Sequence, residues 1–186
     1  MGYGRRRLLR NFWGSAAVAS VVAVIGLGLP AINDEVPAVR PVSAAEPYSV
    51  GAGVTVVPPP ETSLDATQTR PGPTTGSALF EVGGVRYAVV VTPFTGTLAE
   101  AAARLRQKIV ATRGYQVAGS ESRISTRAGV VGRQGMYSSS GRDGRYAVFL
   151  QHGVDVEITV AANTLDLRPV LPAIERSVRT ITFGAS

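Results

Sequence analysis

The chain has 186 residues, one histidine, no cysteine and a formal net charge of +6. The lack of cysteine excludes disulfides, thiol chemistry and cysteine-based metal sites. The positive charge does not indicate nucleic-acid binding, because four of the nineteen basic residues lie within the first ten positions and the others form no basic run with interleaved aromatic residues. We therefore expect one domain of ordinary size, stabilised by its apolar core, with no nucleic-acid partner.

Residues 12–32 form an uncharged run of twenty-one residues, FWGSAAVASVVAVIGLGLPAI. As a helix this run would be about 30 Å long, which matches the hydrocarbon thickness of a bilayer. Arginines precede the run, whereas Asp34 and Glu35 follow it, and this asymmetry predicts a cytoplasmic N-terminus. We therefore predict a cytoplasmic basic tail (1–11), a transmembrane anchor in the plasma membrane (12–32) and an extracytoplasmic remainder.

A cleavable signal segment is the alternative to a retained anchor. Ser43, Ala44 and Ala45 fit the pattern of a cleavage site, and cleavage near Ala45 would release a secreted protein. The apolar run is longer than the 7–15 residues of a usual signal segment, and charged residues separate it from the cleavage site, which favours an anchor. Residues 33–47, rich in proline and small residues, are predicted to be a linker.

The extracytoplasmic domain is predicted to span residues 48–186. Residues 48–57 contain enough β-branched residues for a first strand, which three consecutive prolines end. The stretch 61–77 is rich in Thr, Pro and Gly and has no periodicity, so we predict a flexible surface loop, with O-glycosylation as a further hypothesis.

The core is predicted to begin with a β-hairpin of residues 78–82 and 85–92. Two glycines between the strands favour a tight turn. Such a turn sets three pairs of residues opposite each other: Phe80 and Tyr87, Glu81 and Arg86, and Val82 and Val85. Opposite charges and paired rings across the strands would stabilise this register.

A helix is predicted to follow the hairpin. Thr97 and Glu100 have the spacing of a capping box, and Gly114 lies where a helix of this length would end. The helix carries an apolar stripe of Leu98, Ala102, Leu105 and Ile109. Outside the stripe, Glu100 and Arg104 are spaced for an ion pair within the helix.

Four strands and a second helix complete the predicted domain. The strands are expected at 115–125, 130–139, 145–151 and 154–161, with turns at 127–129, 142–144 and 152–153. The first two have weak alternation and are expected to be edge or bent strands. Residues 146–150 are apolar on both faces, which predicts layers on both sides of the sheet. The final helix is expected to start at Asp166 or Pro172, to end near Arg179 and to bury Leu171, Ile174, Val178 and Ile181, with the tail 181–183 returning to the sheet.

This order predicts an α+β fold with a curved antiparallel sheet flanked by two helices. The chain resembles the PsbP-like fold of small extracytoplasmic proteins and lipoproteins of mycobacteria and other actinobacteria. The resemblance rests on ALFEVGGVRYAVVVTPFTGTLAEAA (78–102), GRYAVFLQHGVDVEITVAA (144–162) and SVRTITF (177–183). The chain departs from it at Pro59-Pro60-Glu61, where relatives often have Gly-Trp. The resemblance implies a binding or assembly module of the cell envelope and supplies no catalytic residues.

The candidate residues for acid–base chemistry are few. His152, the only histidine, is predicted in a turn; a triad with one of Ser138–Ser140 and Asp143 has no supporting motif. Asp155 and Glu157 project from one face of one predicted strand and could share a cation, but a solvated strand face explains them as well. Three tyrosines, Tyr87, Tyr137 and Tyr146, could line a groove, although aromatic residues in strands more often belong to the core.

We therefore expect no catalytic, cofactor-binding or metal-binding residues and no cofactor. The favoured function is a single-pass cell-envelope protein whose extracytoplasmic domain is a non-enzymatic module that binds an envelope protein, lipid or glycan. The expected binding surface is a cleft between the sheet and residues 61–77, because long loops beside a rigid sheet often carry function. An envelope-acting hydrolase of unrecognised type is the alternative function.

Overall fold

The computed structural model describes residues 39–184. The predicted cytoplasmic tail, the anchor at 12–32 and the first part of the linker lie outside the described residues. Within the described range, no helix is both long and apolar enough to cross a membrane.

The described chain forms two antiparallel sheets and two helices. The elements are β1 (Val39–Pro41), β2 (Tyr48–Gly51), β3 (Val54–Val56), β4 (Thr62–Asp65), β5 (Gly76–Val82), β6 (Val85–Pro93), α1 (Leu98–Ala111), β7 (Gln116–Ser125), β8 (Val131–Ser139), β9 (Arg142–Gln151), β10 (Val154–Asn163), α2 (Thr164–Val178) and β11 (Thr182–Phe183). The large sheet has eight strands in the order β1-β4-β5-β6-β10-β9-β8-β7, and the small sheet has three in the order β11-β3-β2. The predicted antiparallel sheet with two helices is confirmed.

The two helices cover opposite faces of the large sheet. Alternate residues of β9 divide between two apolar clusters: Ala147 and Phe149 pack in the cluster of α2 and the small sheet, whereas Tyr146 and Val148 pack against α1. Both sets are buried. The prediction that this strand is covered on both sides is therefore confirmed, and the domain has the layers α1, large sheet, and α2 with the small sheet.

The central hairpin, β5–β6, has the predicted register. Phe80 pairs with Tyr87 and Glu81 with Arg86, and the two rings lie 5.5 Å apart between centroids. Both turn glycines have positive φ (55° and 79°). Since L-residues rarely adopt two successive positive φ angles, the Gly-Gly dipeptide fixes the turn and thereby the register.

Glycines in β8 and β9 explain the weak alternation of that part of the sequence. The ring of Tyr146 lies over Gly135, and the ring of Tyr137 lies over Gly144 on the neighbouring strand. A Cβ atom at either glycine would collide with the ring. The glycines thus make room for two buried tyrosines, and β7, the edge strand next to them, carries a register shift between Ala118 and Ser122. The expected edge strand is confirmed for β7, whereas β8 lies inside the sheet between β9 and β7.

Three segments near the start of the domain differ from the predictions. The expected first strand, 48–57, divides into β2 and β3, with Ala52 and Gly53 at positive φ between them. The expected loop 61–77 contains β4, and the expected linker contains β1, which pairs with β4. Asp65 accepts hydrogen bonds from the backbone N–H groups of Thr67 and Gln68, so a polar sequence folds onto the sheet.

Two boundaries also move. The expected turn at 142–144 lies in β9, and the chain reverses at Ser140-Gly141 instead, where Gly141 has positive φ. Helix α2 starts at Thr164, before either expected start, and ends with Arg179 as its C-cap, as predicted. The tail returns as β11, which pairs with β3 in the small sheet.

Thr69 provides a test of how residues 61–77 are bound to the sheet. Its Oγ1 accepts a hydrogen bond of 3.1 Å from the backbone N–H of Leu79, and both residues are buried. We expect Thr69→Val to lower the free energy of unfolding by about 1–2 kcal/mol, because the buried N–H loses its acceptor. The exposed Thr74 is the matched control, and Thr74→Val should change it by less than about 0.5 kcal/mol. Equal effects in urea denaturation would contradict this role of Thr69.

Candidate functional site

A group of four charged side chains lies between α1 and β10. Asp155 and Glu157 come from β10, with 0% and 3% of their surfaces exposed. Arg104 and Lys108, one turn apart on α1, reach down to them. The Nη2 atom of Arg104 lies 2.5 Å from Oδ2 of Asp155 and 3.3 Å from Oε1 of Glu157, and Nζ of Lys108 lies 2.8 Å from both oxygens of Glu157. We call these four residues the α1–β10 ion cluster.

Two predictions about these charges are wrong. Asp155 and Glu157 do not lie on a solvated face, because α1 covers them. Arg104 does not pair with Glu100, since the Glu100 carboxylate accepts a hydrogen bond of 2.7 Å from the backbone N–H of Thr97 and closes the capping box. The capping box itself was predicted, and it leaves Arg104 free to reach the sheet. The cation that the two carboxylates share is therefore a guanidinium group.

The environment of Asp155 opposes its charged form. Burial, followed by the neighbouring Glu157 carboxylate, raises the pKa of Asp155 to about 7, although Arg104 and Lys108 act in the opposite direction. Its Oδ1 atom is buried and has no hydrogen-bond partner among the described residues. Arg104 also stacks on Phe94, with its Cζ 4.4 Å from the ring centroid. Asp155 is thus a buried carboxyl group that titrates near neutrality.

A second ion group holds the other side of α1. Glu121 on β7 lies 3.4 Å from the Nε of Arg106 on α1 and 3.1 Å from Nη1 of Arg133 on β8. Its Oε1 also accepts a hydrogen bond of 3.0 Å from the hydroxyl of Tyr146. Helix α1 is therefore attached to the sheet by charges on two sides of its apolar stripe.

The three tyrosines considered as groove residues are buried, and two of them, Tyr146 and Tyr137, also border the hollows described below. The hydroxyl of Tyr137 donates to the carbonyl of Val160 at 3.0 Å, and that of Tyr87 lies 3.3 Å from Oγ of Ser177. Burial raises the pKa of all three, to about 12 for Tyr146, where the hydrogen bond to Glu121 adds to the effect. Each polar end has a partner, as expected for tyrosines in a core.

The structure does not assemble the hypothetical triad. His152 lies exposed in the turn after β9, whereas Ser138–Ser140 and Asp143 lie at the opposite end of that strand. Ten residues of β-strand separate the two ends, which is about 30 Å. The carboxylate of Asp143 accepts a hydrogen bond of 2.7 Å from the hydroxyl of Thr164. In the described part of the chain, no three His, Asp or Glu residues form a group able to hold a metal ion.

A groove runs along α2 on the other face of the sheet. It consists of two hollows, of about 150 and 340 Å³, which share Met136, Arg145 and Leu171. The smaller hollow has a floor of apolar side chains from β9 and β10 and a wall from α2, formed by Ala147, Ile158, Val160, Leu171, Ile174 and Val178. Polar residues line both hollows: Ser120, Ser122, Gln134, Tyr146 and Glu175 the smaller one, and Asp143, Thr164 and Arg168 the larger one. We call this feature the α2 groove.

The α2 groove is the site that sequence reasoning missed. The expected cleft beside residues 61–77 is elsewhere, since no residue of that segment lines either hollow. Two apolar residues are left partly uncovered there: Leu171, from the predicted stripe of α2, is half-buried, and Met136 on β8 is 42% exposed. Both lie in the groove because α2 covers only part of the sheet.

The comparisons with known proteins define the fold and not the activity. The described domain is similar to cyanobacterial PsbP (CyanoP) from Synechocystis sp. PCC 6803, with a TM-score of 0.52 and 11% identity over 83% of this chain and 98% of that chain. A protein of unknown function from Pseudomonas aeruginosa, PA94, aligns over 54% of this chain and 75% of its own, with a TM-score of 0.43 and 16% identity. No family model and no curated protein sequence matches the chain. The chain therefore has a PsbP-like fold, as the sequence resemblance implied.

The raised pKa of Asp155 predicts a characteristic pH dependence of stability. Between about pH 4 and 7 the folded protein keeps a proton on Asp155 that the unfolded chain has lost, so stability from this group falls as the pH rises through that window. Asp155→Asn cannot lose this proton. We expect the wild type to lose about 1 kcal/mol per pH unit relative to Asp155→Asn between pH 5 and 6.5, measured by urea denaturation.

The exposed Asp166 serves as the control, because Asp166→Asn should leave the wild-type pH profile unchanged. If the wild type instead gained stability relative to Asp155→Asn on raising the pH, the carboxyl group would have a lowered pKa and this description of the ion cluster would be wrong.

Proposed function

We propose that the chain is a single-pass cell-envelope protein whose extracytoplasmic domain is a non-enzymatic binding module, with the α2 groove as its binding site. The observation that carries the proposal is the groove itself. Apolar side chains of β9, β10 and α2 line an open hollow in a small domain, where a core would usually be closed. The anchor and its orientation rest on the apolar run at 12–32 and the arginines before it.

The lining narrows the class of ligand. Aliphatic side chains form the floor and the α2 wall of the smaller hollow, and Ser120, Ser122, Gln134, Tyr146 and Glu175 border it. The groove therefore suits a ligand with an apolar body better than a glycan, whose hydroxyl groups would lie against the aliphatic floor without partners. Of the three partners expected from the sequence (an envelope protein, a lipid or a glycan), a lipid and an apolar protein segment are compatible with this lining. The hydrolase alternative has less support, because the only histidine lies on an exposed turn at the far end of β9 from the serines considered with it.

The binding proposal is tested by filling the groove. Met136→Trp places an indole where the two hollows meet, at a side chain that is already 42% exposed, so the fold should tolerate it. We expect this variant to lose capture of apolar ligands from envelope extract, analysed by mass spectrometry of both bound lipid and bound protein. Val110→Trp, at a position 53% exposed on α1, is the matched control and should retain capture.

Unchanged capture by Met136→Trp would contradict the assignment of the α2 groove as the binding site. N-terminal sequencing of the mature chain in the same experiment separates a retained anchor from cleavage near Ala45.

A further inference from the structure

The α2 groove has one charged residue at the point where its two hollows meet. Arg145 on β9 is the only charged residue that lines both hollows. It is half-exposed, and it forms no ion pair with any other residue in the range 39–184. A guanidinium group beside an apolar hollow provides two parallel N–H donors for a carboxylate.

The smaller hollow limits what enters beside Arg145. An open hollow of about 150 Å³ with an aliphatic floor, bordered also by Ser120, Ser122, Gln134, Tyr146 and Glu175, accommodates an apolar body about as large as benzene. One turn of an α-helix occupies roughly 400 Å³, from its diameter and pitch, so a helical segment is too bulky for this hollow. The ligand body must therefore be thin.

An extended peptide is thin enough, but its backbone would lack partners. The floor strands are central in the large sheet: β9 lies between β10 and β8, and β10 lies between β6 and β9. Their N–H and C=O groups are already used in the sheet. A peptide on this floor would bury backbone groups without hydrogen bonds, which costs free energy, whereas an acyl chain has no such groups.

We propose that the α2 groove binds a free single-chain fatty acid, with its carboxylate on Arg145, about six carbons of its acyl chain in the smaller hollow between β10 and α2, and the rest of the chain along the open groove. This inference rests on the proposed function and names its ligand. A carboxylate fits better than a doubly charged phosphate, because Glu175 and Asp143 also border the groove and repel a second negative charge.

Protection of a single introduced thiol tests this proposal. The chain has no cysteine, so Leu171→Cys in the full chain, held in phosphatidylcholine nanodiscs, gives one thiol in the groove wall. We expect decanoate to slow its reaction with maleimide, at a free concentration about tenfold lower than decanol requires, as one charge-assisted hydrogen-bonded pair implies. Met136→Cys is a second reporter position if Leu171→Cys weakens the fold.

Two arginine variants identify the head-group contact. Arg145→Gln should abolish the difference between decanoate and decanol. Arg142→Gln, on the other face of the same strand, should retain it. The proposal is overturned if decanoate gives no protection, if decanol protects equally well in the parent, if decyl phosphate protects better than decanoate, or if both arginine variants behave alike.

These outcomes are separate from failure of the proposed function. Protection by an apolar peptide without protection by decanoate would leave the α2 groove as a binding site and would overturn only the fatty-acid assignment. If neither the apolar peptide nor decanoate protected the thiol, the α2 groove would not be a binding site and the proposed function would fail with it.

Discussion

Two buried carboxyl groups on β10 need partners, and this need constrains how the rest of the domain packs. A charged group inside a protein is costly unless it is paired, and Asp155 and Glu157 lie almost wholly out of contact with water. Helix α1 supplies Arg104 and Lys108 from one side of its surface, and in the observed orientation both carboxyl groups have a cationic partner. The aliphatic stripe of α1 packs against the sheet, and the charges of the α1–β10 ion cluster determine the position of the helix along the sheet.

This arrangement leaves the opposite face to α2 and the small sheet. The ion cluster and Glu121 hold α1 over β7–β10. On the other side α2 packs on β6, β9 and β10 and leaves part of that face uncovered. The α2 groove is the uncovered part. The domain thus fixes one helix by charges and the other by apolar packing and a few hydrogen bonds. It presents one closed face and one open face, and the open face is where we propose that a ligand binds.

Much of the fold was predictable from local sequence, and the candidate site was not. Gly83-Gly84 predicted the hairpin and its register, and Thr97 with Glu100 predicted the start of α1. Both signals depend only on residues that are close together in the sequence. The partners of Arg104 are some fifty positions away, so spacing within the helix suggested Glu100 instead. The polarity of residues 61–77 was taken for flexibility, although Asp65 and Thr69 use their side chains to bind backbone groups. The groove depends on how far α2 extends across the sheet, which no local pattern encodes.

The central claim is that buried ion pairs fix α1 on the sheet, and a double-mutant cycle on Lys108 and Glu157 tests it most directly. Lys108→Met, Glu157→Gln and the double variant are compared with the wild type by urea denaturation at pH 7. Since Nζ lies 2.8 Å from both carboxylate oxygens and Glu157 is 3% exposed, we predict a coupling free energy of about 2 kcal/mol. A coupling below about 0.5 kcal/mol, the value of an exposed surface pair, would contradict the claim.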